Sequence, residues 1–316
     1  MEQYRLDAIE QDAIYTTLLM DTYFNSGIKS CRKIGEGFYG AVYFVESDKP
    51  PHKLVVKWYK HARNNERESS QLKLLGKHSL IKVPEVYAIH RHSDDLPYEA
   101  MMMEFIDGVN AGGIEIEDAV KQNRFADRII DNLLALHAVT NPQGFGEEGA
   151  VPFPDWTACY RSKVDRMYAE ITSVRFAHIV SPVVMDTIER SYDLFDRVFR
   201  DNPATASLVH SDYNLWNILV NPHTLEPAAI IDPFDAGWAD KEIDLFHLQN
   251  ANGDRFRLLD RYRSQAALSD LFDVKNAYYR FWDDIKHLIH VGWYEEEHFR
   301  TYGGKLEKQL RDKITG

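Results

Sequence analysis

The chain has 316 residues, of which 44% are hydrophobic, so it is long enough to bury the cores of two domains. Its 37 basic and 49 acidic residues give a formal net charge of −12, which argues against nucleic acid as a partner. No apolar run could span a membrane and the first residues lack a signal-peptide pattern, so we expect a cytoplasmic protein. The sequence does not indicate an oligomeric state.

The first part of the chain predicts a β-rich domain. Residues 4–24 have the apolar spacing of an amphipathic helix, and a second helix is predicted over about 64–76, ended by Gly76. Short runs rich in β-branched and aromatic residues, bounded by turn residues, indicate strands. The predicted strands are 41–45, 54–59, 83–89 and 99–103.

The rest of the chain predicts mostly helices. Apolar residues recur at helical spacing over 115–139. Two short apolar runs, 218–220 and 228–231, flank a turn and predict a hairpin. Further helices are predicted at about 155–171, 181–201, 243–250, 255–273, 276–290 and 294–313. The fold class is therefore α+β, with a β-rich N-terminal domain over 1–104 and a helical domain over 105–316.

A glycine-rich segment matches the phosphate-binding pattern G-x-G-x-x-G-x-V through Gly35, Gly37, Gly40 and Val42. Glycines in such a loop let backbone amides close over phosphates. In a dinucleotide-binding fold the loop runs into a helix. Here it runs into a predicted strand, turn and strand, which favours a kinase hairpin and assigns Lys57 to the α- and β-phosphates.

A phosphate-binding lysine of this kind needs a carboxylate partner. The predicted helix over 64–76 offers Glu66 and Glu68. Glu68 stands four residues before Leu72 and seven before Leu75, so it shares their inward face. We therefore predict that Glu68 is the partner of Lys57.

Residues 209–245 contain the spacing that phosphoryl transfer to a hydroxyl requires. Asp212 precedes Asn217 by five positions, and Asp232 closes the next apolar run. In such a site one carboxylate accepts the hydroxyl proton, while an amide oxygen and a second carboxylate hold Mg²⁺. This pattern predicts Asp212 as the base and Asn217 and Asp232 as the metal ligands.

The segment after Asp232 indicates the size of the acceptor. Protein kinases follow the metal aspartate with a long segment that ends in Ala-Pro-Glu and supports a peptide substrate. Here the Glu242–Leu245 stretch follows within about a dozen residues, and no Ala-Pro-Glu occurs. We therefore expect a small hydroxyl compound as the acceptor, with a sugar attached to a protein amine as an alternative.

The C-terminal part combines aromatic and acidic residues. This pairing suits an amine-bearing acceptor, bound through charge-assisted hydrogen bonds and ring contacts. A solvated helix surface is the alternative interpretation. The candidate acceptor residues are Trp238, Asp240, Asp283, Asp284, Glu295 and Glu296.

Taken together, the motifs resemble those of the aminoglycoside phosphotransferase family, the bacterial small-molecule kinases. The family's His-Gly-Asp-x-x-x-x-Asn-Ile-Leu loop is matched at 210–219, and its Ile-Asp strand end at 231–232. Its Arg-Glu helix pair is matched at 67–68, its Met-Glu-Phe-Ile-x-Gly linker at 103–108, and its Leu-x-x-Leu-His helix at 133–137. The resemblance covers about residues 30–250.

This resemblance implies a bilobal, protein-kinase-like fold in which ATP lies between the lobes. The nucleotide would contact the backbone of Glu104, Phe105 and Ile106, and His210 and Asp244 would support the catalytic loop from behind. Glu242–Leu245 after an Ile-Asp-Pro sequence is closer to the fructosamine kinases.

Two positions depart from the family pattern. Ser211 stands where the family usually has glycine, so the backbone angle there is in question. Pro233 follows Asp232 where protein kinases have Phe, and because proline fixes its own φ, a switching flip of this segment is not expected.

The sequence therefore predicts an ATP- and Mg²⁺-dependent kinase for a small, cationic, sugar-like hydroxyl compound. A fructosamine-type kinase that acts on glycated amines is the alternative within this class. A nucleotide-binding regulatory module without turnover is the alternative outside it.

Overall fold

The computed structural model describes residues 12–37 and 39–315 and divides the chain into two compact units. The first unit runs to Ala111 and takes in Asn217–Phe234. The second unit comprises Gly112–Trp216 and the chain from Asp235 onward. The predicted domain boundary after Glu104 divides the chain only once, whereas the chain passes between the two units three times.

The first unit is built on a five-stranded antiparallel sheet of order β1-β2-β3-β5-β4. Helix α1 spans Asp12–Phe24 and helix α2 spans Asn64–Gly76. The predicted helix over 64–76 is thus confirmed, and the part of the 4–24 prediction before Asp12 lies outside the described residues. Its strands β1 to β5 span, in this order, Ile28–Glu36, Gly40–Ser47, Lys53–Tyr59, Val86–His90 and Ala100–Glu104.

Side chains of β3 alternate between the two faces of this sheet, as a strand requires. Leu54, Val56 and Trp58 belong to a core cluster that includes Leu19 and Met20 of α1. Val55 and Tyr59 belong to a second cluster, with Leu72 of α2. Lys57 lies on the same face as Val55 and Tyr59, so the pleat directs it toward α2.

A second, small sheet in the first unit has the order β10-β9-β6. It contains the predicted hairpin, whose strands β9 and β10 span Ile218–Val220 and Pro227–Ile230. β6, at Val109–Asn110, pairs antiparallel with β9.

The second unit is mainly helical, and its core is aromatic, with buried Trp156, Tyr160, Phe199, Tyr278 and Tyr279 in one cluster. Its three-stranded sheet has the order β11-β8-β7, with strands at Gly237–Ala239, Ala206–Val209 and Thr140–Asn141. The α-helices α3 to α9 span Ala119–Ala138, Trp156–Ile171, Pro182–Asp193, Phe195–Val198, Leu258–Gln265, Phe272–Val291 and Glu296–Leu310. The α+β class, with a β-sheet N-terminal region and a helical C-terminal region, is confirmed.

Three helix predictions in this unit differ from the structure. The helix predicted over 255–273 is interrupted because Arg257 has a left-handed φ of 52° and Ala266 is extended. The helix predicted over 181–201 breaks at Leu194, whose backbone is not helical. The segment predicted as a helix over 243–250 is a 3-10 helix, Lys241–Gln249. Within the described residues, no helix combines the length and the apolar character that a membrane span needs.

Candidate active site

Lys57 is the centre of a buried cluster in the first unit. Its Nζ lies 2.8 Å from Oε1 of Glu68 and 2.7 Å from Oδ1 of Asp232. The hydroxyl of Tyr59 donates to Oε2 of Glu68 at 2.8 Å. Both carboxylate contacts are charge-assisted, which makes them stronger than neutral hydrogen bonds.

The electrostatics of this cluster follow from burial and charge. Burial alone would lower the pKa of Lys57, but the carboxylates of Asp232 and Glu68 outweigh it and raise that pKa above its ordinary value. Burial raises the pKa of Glu68, while Lys57 acts in the opposite direction. Lys57 is therefore protonated at neutral pH, and its two carboxylate contacts hold the ammonium group in place.

The glycine-rich segment forms the hairpin between β1 and β2. Gly35 pairs with Val42, and the amide of Gly37 donates to the carbonyl of Gly40 at 2.9 Å. A Cβ atom at Gly40 would meet the carbonyl oxygen of Trp58 at 2.0 Å, so no other residue fits there without movement of the backbone. Phe38 lies outside the described residues.

The predicted linker begins at the end of β5. The amide of Glu104 donates to the carbonyl of Glu85 at 2.8 Å, and its carboxylate pairs with Lys82. Phe105 packs against the core cluster that also contacts Val42. Ile106 follows it and is partly buried.

Asp232 and Asn217 are connected through their backbones within the first unit. The amide of Ile231 donates to the carbonyl of Asn217 at 2.9 Å. Asp232 has a left-handed φ of 52°, and its side chain is 44% exposed. Asn217 is largely buried.

Asp212 lies in the second unit, in the loop that follows β8. Nδ2 of Asn214 donates to Oδ1 of Asp212 at 2.6 Å, and Nδ1 of His247 lies 3.3 Å from the same oxygen. The hydroxyl of Tyr213 donates to the carbonyl of Ile129 at 3.0 Å, which ties the loop to α3.

Asp244 supports this loop through its backbone. Its two carboxylate oxygens accept the amides of His210 and Ser211 at 2.9 and 2.6 Å. His137 contacts Asp244 at 3.1 Å and the hydroxyl of Tyr262 at 2.8 Å. Burial would raise the pKa of the Asp244 carboxyl, but hydrogen bonds and electrostatic attraction from His137 and His210 outweigh it and lower that pKa.

Ser211, at the position of the expected glycine, has a φ of 62°. Its backbone is thus in the left-handed region that glycine adopts without strain. Asp244 accepts the amide of Ser211 itself and that of the preceding His210, which helps to hold this conformation.

The structure distributes the candidate acceptor residues over separate places. Asp240 is buried, pairs with Lys275 and accepts from the hydroxyl of Tyr279 at 3.1 Å. With Lys275 it lines a cavity of about 420 Å³, whose wall includes residues that precede β8. Asp212 lies beyond the opposite end of β8, so Asp240 and Asp212 do not share this cavity.

All but one of the other candidate acceptor residues have partners inside the second unit. Asp283 pairs with Lys286, and Asp284 lies 3.0 Å from Nε2 of His298. Trp238 donates to Glu148 at 2.7 Å, Glu296 accepts from Ser181 at 2.7 Å, and Glu295 precedes α9 as an exposed residue. Of these residues, Asp283 is electrostatically coupled to His247, which contacts Asp212.

Two residues that contact Asp212 lie outside the predicted site. Asn214 is within the loop motif, at a position that the motif leaves open. His247 follows Asp244 by three positions, and a 3-10 helix would place both on one face. That spacing is the signal that could have identified it.

A family model described as the phosphotransferase enzyme family matches residues 30–279. The chain therefore belongs to this family and is a phosphotransferase enzyme, which confirms the expected resemblance. The alternative of a regulatory module without turnover is correspondingly disfavoured. One curated relative, the "uncharacterized protein YcbJ" of Escherichia coli K12, is 21% identical over 229 residues, which cover 72% of this chain and 75% of that protein.

Similar solved structures include a protein named as a putative kinase and an aminoglycoside phosphotransferase. A "putative fructosamine-3-kinase" from Haemophilus somnus 129PT has a TM-score of 0.69 at 16% identity, covering 95% of this chain and 97% of the other. A thermostable mutant of the aminoglycoside phosphotransferase APH(4)-Ia, in a ternary complex with AMP-PNP and hygromycin B, has a TM-score of 0.70 at 15% identity, covering 95% and 99%. The expected kinase-like fold is confirmed.

Proposed function

We propose that this phosphotransferase transfers the γ-phosphate of ATP, with Mg²⁺, to a hydroxyl group of a small molecule. The hydroxyl oxygen attacks the γ-phosphorus, the bond from that phosphorus to the β,γ-bridging oxygen breaks, and ADP leaves. The hydroxyl proton passes to the carboxylate of Asp212.

The observation that carries this proposal is the buried contact of Lys57 with both Glu68 and Asp232. Kinases use such a lysine on the phosphates, a helix glutamate to fix it and an aspartate for the metal. The glycine hairpin and the backbone of Glu104, Phe105 and Ile106 would complete the nucleotide site. The AMP-PNP complex of the similar APH(4)-Ia structure supports nucleotide use.

The residues present fit a magnesium ion. Asp232 offers a carboxylate that is 44% exposed, and Asn217 offers an amide oxygen. Both are hard oxygen donors of the kind that Mg²⁺ prefers, with water and phosphate oxygens as the remaining ligands. The bound metal would neutralise charge on the phosphates.

Asp212 is the proposed base because its surroundings hold the carboxylate in place. Asn214 donates to this carboxylate, and Asp244 fixes the backbone of His210 and Ser211, which precede Asp212. A preorganised base needs no reorganisation at the moment of proton transfer.

For the acceptor, we propose a small hydroxyl compound that carries an amine. The excess of carboxylates in the sequence favours this, and the similar APH(4)-Ia structure holds hygromycin B. Asp283 already pairs with Lys286, so its negative charge is partly neutralised and attracts an amine less strongly. The similarity to the Haemophilus somnus structure supports glycated amines as a second candidate.

A screen for phosphate transfer tests the function. The purified protein is incubated with Mg²⁺ and ATP against aminoglycosides, amino sugars, choline, glycated lysine and neutral polyols, and ADP release and phosphorylated products are measured. We expect an amine-bearing compound to be phosphorylated, with a KM that rises with ionic strength because salt screens the attraction. If only neutral or anionic compounds react, the amine proposal is wrong and the kinase proposal stands.

Two substitutions separate the proposed roles. Asp212→Asn should lower kcat roughly 10²- to 10⁴-fold and leave nucleotide affinity nearly unchanged. Asp232→Asn should instead weaken Mg²⁺-dependent nucleotide binding, measured by titration calorimetry. An Asp212→Asn protein that phosphorylates the acceptor at the normal rate would remove Asp212 from its role.

A further inference from the structure

The 3-10 helix Lys241–Gln249 carries two side chains that reach the catalytic loop. A 3-10 helix has three residues per turn, so side chains three positions apart are eclipsed. Asp244 and His247 have this spacing. Asp244 accepts the amides of His210 and Ser211, and His247 contacts the next residue, Asp212. One face of this helix therefore contacts three successive residues of the loop.

The contact from His247 is made by a buried side chain. His247 is 3% exposed, and its Nδ1 lies 3.3 Å from Oδ1 of Asp212. Within the described residues, Nδ1 has no hydrogen bond of good geometry to any group. A buried imidazole nitrogen without a hydrogen bond lowers the stability of the folded protein, so its position calls for a functional explanation. Asp212 is the carboxylate within reach.

The charge state of His247 decides what it can offer. The charged and titratable groups that face it are Asp212, Asp244, Asp283, Lys286 and His210. Burial lowers its pKa to about 4, against the opposing effect of Asp283 and Asp244. At neutral pH the ring therefore carries one proton. That proton can lie on Nδ1, and a small rotation of the ring or of the carboxylate would align it with Oδ1 of Asp212, 3.3 Å away.

We propose that His247 is a positioning residue for the catalytic base, which it holds by donating from Nδ1 to Oδ1 of Asp212. Neutral His247 and Asn214 both donate to Oδ1 of Asp212. Together they fix the rotation of the carboxylate, and because neither carries a charge, the carboxylate keeps its full negative charge. Asp244 fixes the backbone beneath it from the same helix face. This inference deepens the proposed function and rests on it.

Substitutions that place a donor at different ends of the ring test this role. In His247→Asn the amide occupies the region of Nδ1, in His247→Gln it occupies the region of Nε2, and His247→Phe keeps the ring without a donor. Turnover is measured as ADP release from ATP with Mg²⁺, with water as the acceptor and with the compound that the screen identifies. A hydrogen bond to a charged group predicts a loss of kcat of roughly 10- to 100-fold in His247→Phe.

We expect His247→Asn to retain most of kcat, and His247→Gln to resemble His247→Phe. The KM for ATP should stay within about twofold, because nucleotide binding is assigned to residues of the first unit. The acid limb of the kcat profile should move to higher pH in His247→Phe, since a carboxylate that loses a donor binds protons more tightly. Equal kcat in wild type and His247→Phe would overturn the proposal, as would equal losses in His247→Asn and His247→Phe.

Controls separate this inference from the function on which it rests. Asp212→Asn is measured first: if it reacts at the wild-type rate, the proposed base fails, whatever His247 does. If Asp212→Asn is impaired, adding His247→Phe to it should cause no further loss, and a full additional loss would overturn the positioning role. His90→Phe removes another buried imidazole, in the first unit, and should leave kcat unchanged. If His247→Phe does not fold, the kcat values of His247→Asn and His247→Gln are compared. A higher kcat in His247→Asn supports the positioning role, and equal values would overturn it.

Discussion

Glu66 and Glu68 stand two positions apart on α2 but lie in different surroundings. Glu68 is buried against Lys57 and Tyr59, whereas Glu66 pairs with Arg91 at the surface. Two positions on a helix differ by about 200° in direction, so only one of them can face the sheet. This geometry separates a glutamate that contacts Lys57 from one that does not.

Replacing each glutamate by glutamine should therefore give different results. Glu68→Gln leaves Lys57 with Asp232 as its remaining carboxylate partner, so we expect kcat/KM for ATP to fall roughly 10- to 100-fold. Glu66→Gln, the matched control on the same helix, should remain within about twofold of wild type. Steady-state kinetics with varied ATP measures both. Similar losses in the two variants would mean that Glu68 does not act through Lys57.

Much of the site around Lys57 can be predicted from sequence, because strand and helix periodicity determine which side chains share a face. The contacts of Asp212 are harder to predict. The spacing of Asp244 and His247 places both on one helix face, but it does not show that this face lies against the loop that carries Asp212. Similarly, Asp283, a candidate for binding the acceptor, pairs with Lys286, three positions further along α8.

At the level of elements, the hairpin of β1 and β2 contains two glycines with different structural demands. The Cβ of any residue at Gly40 would lie 2.0 Å from the backbone oxygen of Trp58 on the neighbouring strand. At Gly37 nothing lies within 4 Å of that position. The motif treats the two alike, but of these two positions only Gly40 lies so close to the neighbouring strand that a side chain would collide with it.

Alanine at each position tests this difference. Gly40→Ala forces β2 and β3 apart and should lower the free energy of unfolding by about 1–3 kcal/mol, the usual cost of overpacking. Gly37→Ala should change that free energy by less than about 1 kcal/mol, although either variant can weaken nucleotide binding. Urea unfolding followed by circular dichroism measures both. A Gly37→Ala protein that is as destabilised as Gly40→Ala would contradict the steric argument.

The element boundaries that sequence does not predict share one physical cause. The break at Arg257 requires a left-handed backbone, and no glycine or proline marks it. Ser211 also adopts a left-handed φ where the family pattern has glycine. In both cases surrounding contacts, rather than local preference, set the backbone. By contrast, Gly76 and the turn after β9 are marked by their own residues and are predicted within a few positions.

For the whole molecule, His247 should make stability depend on pH. Burial lowers its pKa to about 4 in the folded protein, whereas an exposed histidine in the unfolded chain titrates near about 6.5. Between these values the unfolded chain binds the proton and the folded protein does not. The stabilisation is therefore complete above about pH 6.5 and decreases by up to about 3 kcal/mol as the pH falls toward 4.

Thermal unfolding between pH 4 and 7 tests this expectation in wild type and in His247→Asn, whose residue 247 does not titrate. The carboxylates of the rest of the chain contribute equally to both proteins. The wild-type Tm should therefore fall more steeply on acidification than that of the variant. Parallel curves would show that His247 titrates as an exposed histidine does.

The interleaved path of the chain also has a consequence for biosynthesis. β6, at Val109–Asn110, pairs with β9, but β9 and β10 belong to the segment Asn217–Phe234. A ribosome adds roughly 5–20 residues per second, so these strands emerge about 5–25 s after the first part of their unit. Most of the helical unit is made in that interval. We therefore expect the first unit to stay incompletely folded during synthesis, and to bind chaperones, until β9 and β10 have been made and can pair with β6.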